Sequence, residues 1–274
     1  MNSRRPRPVS PAKAVRVTSV GTLLLSVVVC IPANAAGSAA TPERLPLHQI
    51  TYAASFKGIS IGTITLQLQA SGDHYSYQTL AHPSWLARVA VSQSTQERSE
   101  FTLNSDGVLP LEYSLGDPEK PGLGNRYHYD WDHLVVSGKH DDKAVSFPLN
   151  APTYDPLSIR AQLLFDFARG KTQMSYRMLD GDEVKSFVYR RQNAERVQTS
   201  WGPINAVRWD SAKENAAPND RQWRYWLAPE YGFLPLEIEQ VQDGKSRLLF
   251  KVTQLVWTDP KTAKTQVLGN VTPR

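Results

Sequence analysis

From His48 to Trp257 the chain is cut into short stretches, many with alternating apolar and polar residues, separated by turns rich in glycine and aspartate. That pattern constrains the fold more than any other feature. Side chains of an extended strand point to opposite faces in turn, so a period of two buries one face and wets the other. Ile59–Ala70 is the clearest case. Ile64, Leu66, Leu68 and Ala70 fall on one face, with Thr63, Thr65, Gln67 and Gln69 on the other. Lys57-Gly58, Asp106-Gly107, Asp180-Gly181 and Asp243-Gly244 supply the residues that tight hairpin turns require. Roughly thirteen such strands, spaced by about 8–14 residues, predict a mainly β chain: an antiparallel β-barrel or strongly curved sheet rather than βαβ units.

One segment breaks the period. Thr153–Gly170 predicts a single helix over about 155–169, with Asp155 as its cap, Pro156 at the first position and Gly170 just past its end. Arg169 in its last turn suits the negative end of the helix dipole. Ser158, Gln162, Asp166 and Arg169 make one polar stripe, expected to face water. The rest of the circumference is apolar, with Arg160 as its exception. An arc that wide means a largely buried helix. It either fills the core or forms one wall of an apolar ligand cavity, with Phe165 and Phe167 as candidate ligand contacts. Trp209, Trp223 and Trp226, from the tryptophan-rich C-terminal half, join them as candidates; such residues pack cores or line cavities. Alternation turns Trp223 and Tyr225 one way and Arg224 and Trp226 the other.

Residues 1–35 read as a secretory signal peptide. Arg4, Arg5, Arg7, Lys13 and Arg16 form its basic start, Val20–Ile31 its apolar stretch, and Ala33-Asn34-Ala35 a cleavage site after Ala35. Val29 fits poorly before a lipidated Cys30, since a small residue is wanted there. Residues 36–45 read as a flexible leader, 46–257 as one β-rich domain and 258–274 as a polar tail. No transmembrane segment is expected after cleavage. The whole chain of 274 residues carries 31 basic and 26 acidic side chains, and the signal peptide holds five of the basic ones and no acidic one, so the remainder is neutral. Nucleic acid is disfavoured as a partner, because no basic excess is left to neutralise phosphates. Cys30 is the single cysteine, so its removal leaves no thiol for disulfides, nucleophiles or metal. Export without disulfides points to the periplasm of a bacterial envelope.

No nucleophile elbow, phosphate loop, dinucleotide fingerprint, helical His pair or calcium loop is present. No catalytic residue, metal site or cofactor is therefore assigned. His128, Asp130 and Asp132 would share a face of a strand and could offer ligands to a divalent ion. The competing reading is a solvent-facing hairpin with Tyr127, Tyr129 and Trp131 packed inward. Glu237 and Glu239 share a strand face, as a carboxylate pair or simply as the wet side of a sheet. Ser92–Glu100 holds no apolar residue, which suits a sheet edge or a strand between water and a hydrated lumen.

Several motifs occur in an order and spacing that resembles a known family. Gly58-Ile59-Ser60-Ile61-Gly62-Thr63 lies in the second strand, and Tyr154-Asp155-Pro156-Leu157-Ser158 opens the helix. Thr199 to Arg208 (TSWGPINAVR) forms a hairpin, and Trp226-Leu227-Ala228 precedes Phe233-Leu234-Pro235-Leu236-Glu237. Together, over about residues 45 to 257, they resemble the exported bacterial proteins of domain-of-unknown-function 3108. The resemblance implies a β-rich envelope protein and no catalytic residues. A curved sheet with one helix is also similar, at the level of fold alone, to the periplasmic lipoprotein carriers. The expected function is non-enzymatic binding or carriage of a lipid or other apolar ligand. The alternatives are an interaction module for an envelope protein partner, docking through edges such as Ser92–Glu100, and a metal-dependent hydrolase using His128 and Asp130.

Overall fold

The computed structural model describes residues 44–84, 95–117, 123–217 and 219–269. The signal peptide with its Ala35 site, most of the leader, residues 85–94 and the centre of the 116–124 loop lie outside this set.

The described residues form sixteen strands and one α-helix. In chain order the strands are β1 Leu47–Phe56, β2 Ile59–Ser71, β3 His74–Pro83, β4 Gln96–Asn104, β5 Gly107–Gly116, β6 Gly124–Asp130, β7 Val135–His140 and β8 Lys143–Pro148. After the two-residue β9 Thr153–Tyr154 comes the helix α1, Ser158–Ala168. Then follow β10 Gln173–Asp180, β11 Glu183–Thr199, β12 Gly202–Lys213, β13 Gln222–Ala228, β14 Leu234–Gln242, β15 Lys245–Thr258 and β16 Thr265–Gly269.

All belong to one sheet, ordered β8-β7-β6-β5-β4-β3-β2-β1-β15-β14-β13-β12-β11-β10-β9, with β16 beside β15. Most neighbours are joined by short turns, as the alternation and turn residues predict. The long-range link is the antiparallel pairing of β1 with β15, which starts at Leu47↔Thr258 and ends at Phe56↔Leu248. The ladder does not close: β8 and β9 are its two ends. The ends are joined by other means. The chain crosses from β8 to β9, and β9 adds to β10 in parallel through Arg177↔Thr153. Tyr127 on β6 donates its hydroxyl to the carbonyl of Gly181 in the β10–β11 turn at 2.5 Å. Arg177 bonds Asn150 across the same seam. The result is a broken barrel with α1 inside.

Three strand expectations are corrected. β4, which contains most of the polar Ser92–Glu100 segment, is not an edge; it lies between β3 and β5, and its Ser99 is fully buried. Residues 183–200, read as two strands, form the single β11, because an irregularity between Arg191 and Ala194 absorbs the polar break. Within the expected polar tail, Thr265–Gly269 pairs with the end of β15.

The helix ends are built as their residues predict, with the regular part slightly shorter. Asp155 Oδ1 accepts the backbone N–H groups of Leu157 and Ser158, each at 2.9 Å. Its carbonyl accepts Ile159 N–H at 3.1 Å. At the other end Gly170 adopts φ +76°. Its N–H reaches Phe167 and that of Lys171 reaches Asp166, the paired closure that a left-handed residue permits.

Of the polar stripe, Arg169 is exposed as expected, but the three residues within α1 are not in water. Ser158, Gln162 and Asp166 are buried and spend their polar atoms on the fold. Gln162 Oε1 accepts Val108 N–H at 2.8 Å, and its amide donates to Asp166 Oδ2 at 2.9 Å. Asp166 also takes Lys171 Nζ at 2.7 Å and the Tyr176 hydroxyl. The stripe faces strand backbone, where buried polar groups must be matched. Gly107 permits the approach: at φ +133° a Cβ there would sit 2.3 Å from Gln162 Oε1.

Candidate ligand cavity

Packing is not uniform along the barrel. At one end the inward residues are large, apolar and buried. Phe167 of α1 meets Trp209 at a ring distance of 4.5 Å and Phe233 at 6.0 Å. Leu227, Leu234, Leu236, Leu255 and Trp257 close round them. His48 is buried there as well. Desolvation lowers its pKa to about 4, so its ring is neutral. Nδ1 donates to Pro46 O at 2.7 Å, and Nε2 accepts the Tyr77 hydroxyl at 3.0 Å.

Toward the other end the same strands change character. Along β12 the inward set runs Val207, Trp209, Ser211, Lys213, from buried to exposed. Along β14 it runs Leu234, Leu236, Ile238, Gln240, Gln242. Between α1 and this part of the sheet lies a cavity of about 590 Å³, within the range of about 300–1,000 Å³ usual for small-molecule sites.

Its walls keep the period of two. β2 supplies Ile64 and Leu66; β11 supplies Lys185, Phe187 and Tyr189; β13 supplies Trp223 and Tyr225; β15 supplies Phe250. The helix adds Ile159, Arg160 and Leu163, with Pro156 before it. Lys185, Lys213, Arg221, Asp180 and Asp220 mark the mouth, where Lys185 pairs with Asp180 at 2.6 Å and Glu183 at 3.0 Å. Inside, Tyr52 donates its hydroxyl to Pro235 O at 2.7 Å. Burial raises the Tyr52 and Tyr225 phenols well above their ordinary value and pushes Tyr189 up to about 12. These tyrosines therefore stay neutral.

The five residues expected at a ligand site are dispersed. Trp223 lines the cavity. Phe167 and Trp209 form the closed end. Phe165 is buried on α1, with the Arg169 guanidinium 4.8 Å above its ring. Trp226 is turned to the opposite face of β13 by strand alternation, where its Nε1 donates to Glu195 at 2.7 Å. Arg160, noted only as an exception on an apolar arc, is the wall residue that periodicity did not single out.

The other polar constellations lie elsewhere. His128 Nδ1 pairs with Glu112 at 2.6 Å on the exposed face of β6, while Tyr127 and Tyr129 are buried behind it. Asp130 holds the next turn by accepting from His133. Glu237 pairs with Lys251 and Glu239 with Arg224, and partial burial raises the pKa of Glu237. Among the described residues no group of three or more His, Cys, Asp or Glu side chains is placed to hold a metal. No helix among them is long and apolar enough to cross a membrane.

Residues 51–251 match the family described as "Protein of unknown function (DUF3108)". The chain belongs to the DUF3108 family. No curated protein matches it. Among solved structures it is similar to a β-barrel-like protein of domain of unknown function DUF1849 from Brucella abortus. That match has 12% identity and a TM-score of 0.53, covering 79% of this chain and 99% of the other. An exported protein with a YmcC-like fold from Bacteroides fragilis matches at 10% identity and a TM-score of 0.35, over 76% of this chain and 94% of its own. At these identities the likeness to the Brucella protein concerns fold alone: a DUF3108 chain builds a β-barrel-like sheet.

Proposed function

We propose that this DUF3108 protein is an exported, non-enzymatic carrier or binder of a lipid or other apolar ligand, acting in the periplasm and holding that ligand between α1 and the sheet. The observation that carries the reading is the cavity. Natural cores are packed without voids of this size, and here the closed end of the same barrel is packed in that way. The gap arises because β11 to β14 change from large apolar to polar or half-buried residues toward one end. The signal-peptide pattern of residues 1–35 is the reason for reading the protein as exported.

Magnitudes favour a long chain over a small apolar molecule. Each buried methylene contributes about 0.8 kcal/mol, so about ten contribute roughly 8 kcal/mol before association costs of about 4–15 kcal/mol are met. A short chain would not stay bound; a longer one with a polar contact would.

Mass spectrometry of organic extracts from protein purified out of the periplasm tests the reading. A stoichiometric amphiphile is expected with wild type and is lost from Ile64→Glu, which places a charge on the half-buried wall. Empty extracts from both proteins would overturn the carrier reading in favour of an envelope interaction module.

A further inference from the structure

Arg160 is the one arginine on the cavity wall contributed by α1, and it differs from three half-buried arginines of the sheet that are held in ion pairs. Arg208 is held by Glu195 and Asp210, Arg224 by Glu239, and Arg247 by Asp243. Among the described residues no side-chain hydrogen bond or ion pair holds the Arg160 guanidinium. The carboxylate that acts on it most is Glu97, together with the phenols of Tyr77, Tyr225 and Tyr52. Glu97 stops short of ion-pair contact and already accepts the Tyr113 hydroxyl at 2.8 Å. Neutral phenols offer a guanidinium no counter-charge.

A half-buried guanidinium whose nearest carboxylate influence, Glu97, stays outside ion-pair contact keeps its hydrogen-bond donors free for a ligand. Its planar fork of donors suits a carboxylate or phosphate, taken in two parallel hydrogen bonds. Tyr225, beside it on the cavity wall, likewise has a hydroxyl with no hydrogen-bond partner among the described residues. Tyr52 and Tyr189 are already engaged, the first with Pro235 and the second with Ser211. Two unengaged donors therefore face one mostly apolar chamber.

We infer that the ligand is an anionic single-chain amphiphile, its carboxylate or phosphate head received by Arg160 and Tyr225 and its chain lying against Ile64, Phe187, Trp223 and Phe250. This deepens the carrier reading and rests on it.

Isothermal titration of lipid-stripped protein with dodecanoate, dodecyl phosphate, dodecanol and dodecylammonium separates the two ideas. At least one of the anions is expected to bind about tenfold or more tightly than dodecanol, the scale of charge-assisted hydrogen bonds, and dodecylammonium least tightly. The stronger of dodecanoate and dodecyl phosphate identifies the head. Arg160→Met should abolish the preference for anions while leaving dodecanol binding in place, and Arg160→Lys should restore part of it. Tyr225→Phe, nearly the same in shape, should weaken only the anions. Equal binding of anion and alcohol by wild type, or an Arg160→Met protein that keeps the preference, would overturn the anionic head and leave the carrier standing. Binding of none of the four would overturn both.

Discussion

The two ends of this barrel are built from the same strands yet obey different rules. At the closed end Trp209, Phe167, Leu234 and Leu236 fill space with rings and branched chains, and the polar atoms of His48 and Tyr77 satisfy each other. At the open end Trp223, Phe187 and Tyr225 surround a gap, and Arg160 and Tyr225 keep donors unengaged. Unmatched donors alone do not make the difference, since the indole N–H groups of Trp209 and Trp257 at the closed end also lack partners among the described residues; the contrast in packing separates residues that hold the fold from residues that could hold a ligand. Both sets contain tryptophan, so residue type does not distinguish them; position along the strand does.

The comparison is broken most directly by truncating one tryptophan from each end. Trp209 is only 2% exposed, and Trp209→Ala should cost about 3–5 kcal/mol in urea unfolding, as large aromatic truncations in cores do. Trp223→Ala removes a half-buried ring beside an existing cavity and should cost less than about 1.5 kcal/mol. Equal losses would mean that the open end is a core like the other.

The helix cap sharpens the account of what fixes the cavity wall. Asp155 accepts from Leu157 N–H, Ser158 N–H, the Ser158 hydroxyl and the Ser99 hydroxyl. It ties α1 to β4 as well as closing the helix start. Asp155→Ala would strand those donors and should cost on the order of 2–4 kcal/mol, more than a simple cap. Asp155→Asn keeps an acceptor for the backbone and should cost far less at neutral pH.

The same residue gives a pH signature. Burial, opposed by those hydrogen bonds, raises the Asp155 carboxyl from 3.8 to about 6. Between these values the folded protein keeps a proton that the unfolded chain has released. Stability from this group is thus complete below about pH 4 and is lost as pH rises through about 6, by on the order of 3 kcal/mol. Urea midpoints measured across that window should show this component in wild type and lose it in Asp155→Asn.

Much of this organisation is legible before the fold is seen. Alternation in Ile59–Ala70 and the Asp-Gly turns identify strands and hairpins, because both signals are local. Asp155, Pro156 and Gly170 mark the helix ends for the same reason. Tertiary burial is harder to read. Ser158, Gln162 and Asp166 look like a wet stripe because polar residues usually are; here Gln162 bonds the backbone of β5, Asp166 takes side chains from β10 and its approach, and Ser158 bonds Asp155 at the helix start. The cavity is partly legible as well. The inward residues of β12 and β14 pass from apolar to polar in chain order, but that trend acquires meaning only once register places Ser211 and Gln240 on one chamber. Arg160 is hidden for a related reason, since a lone cation on an apolar arc signifies a site only when the fold leaves its donors unengaged beside a cavity.

The most direct test of the division between a packed end and a receiving end is quenching of tryptophan fluorescence by a long-chain carboxylate brominated on its tail. Trp223 is the only tryptophan among the described cavity-lining residues. Saturable quenching that disappears in Trp223→Phe and survives in Trp209→Phe is the predicted result. Absence of saturable quenching in wild type, or its loss in Trp209→Phe with Trp223 intact, would contradict the account.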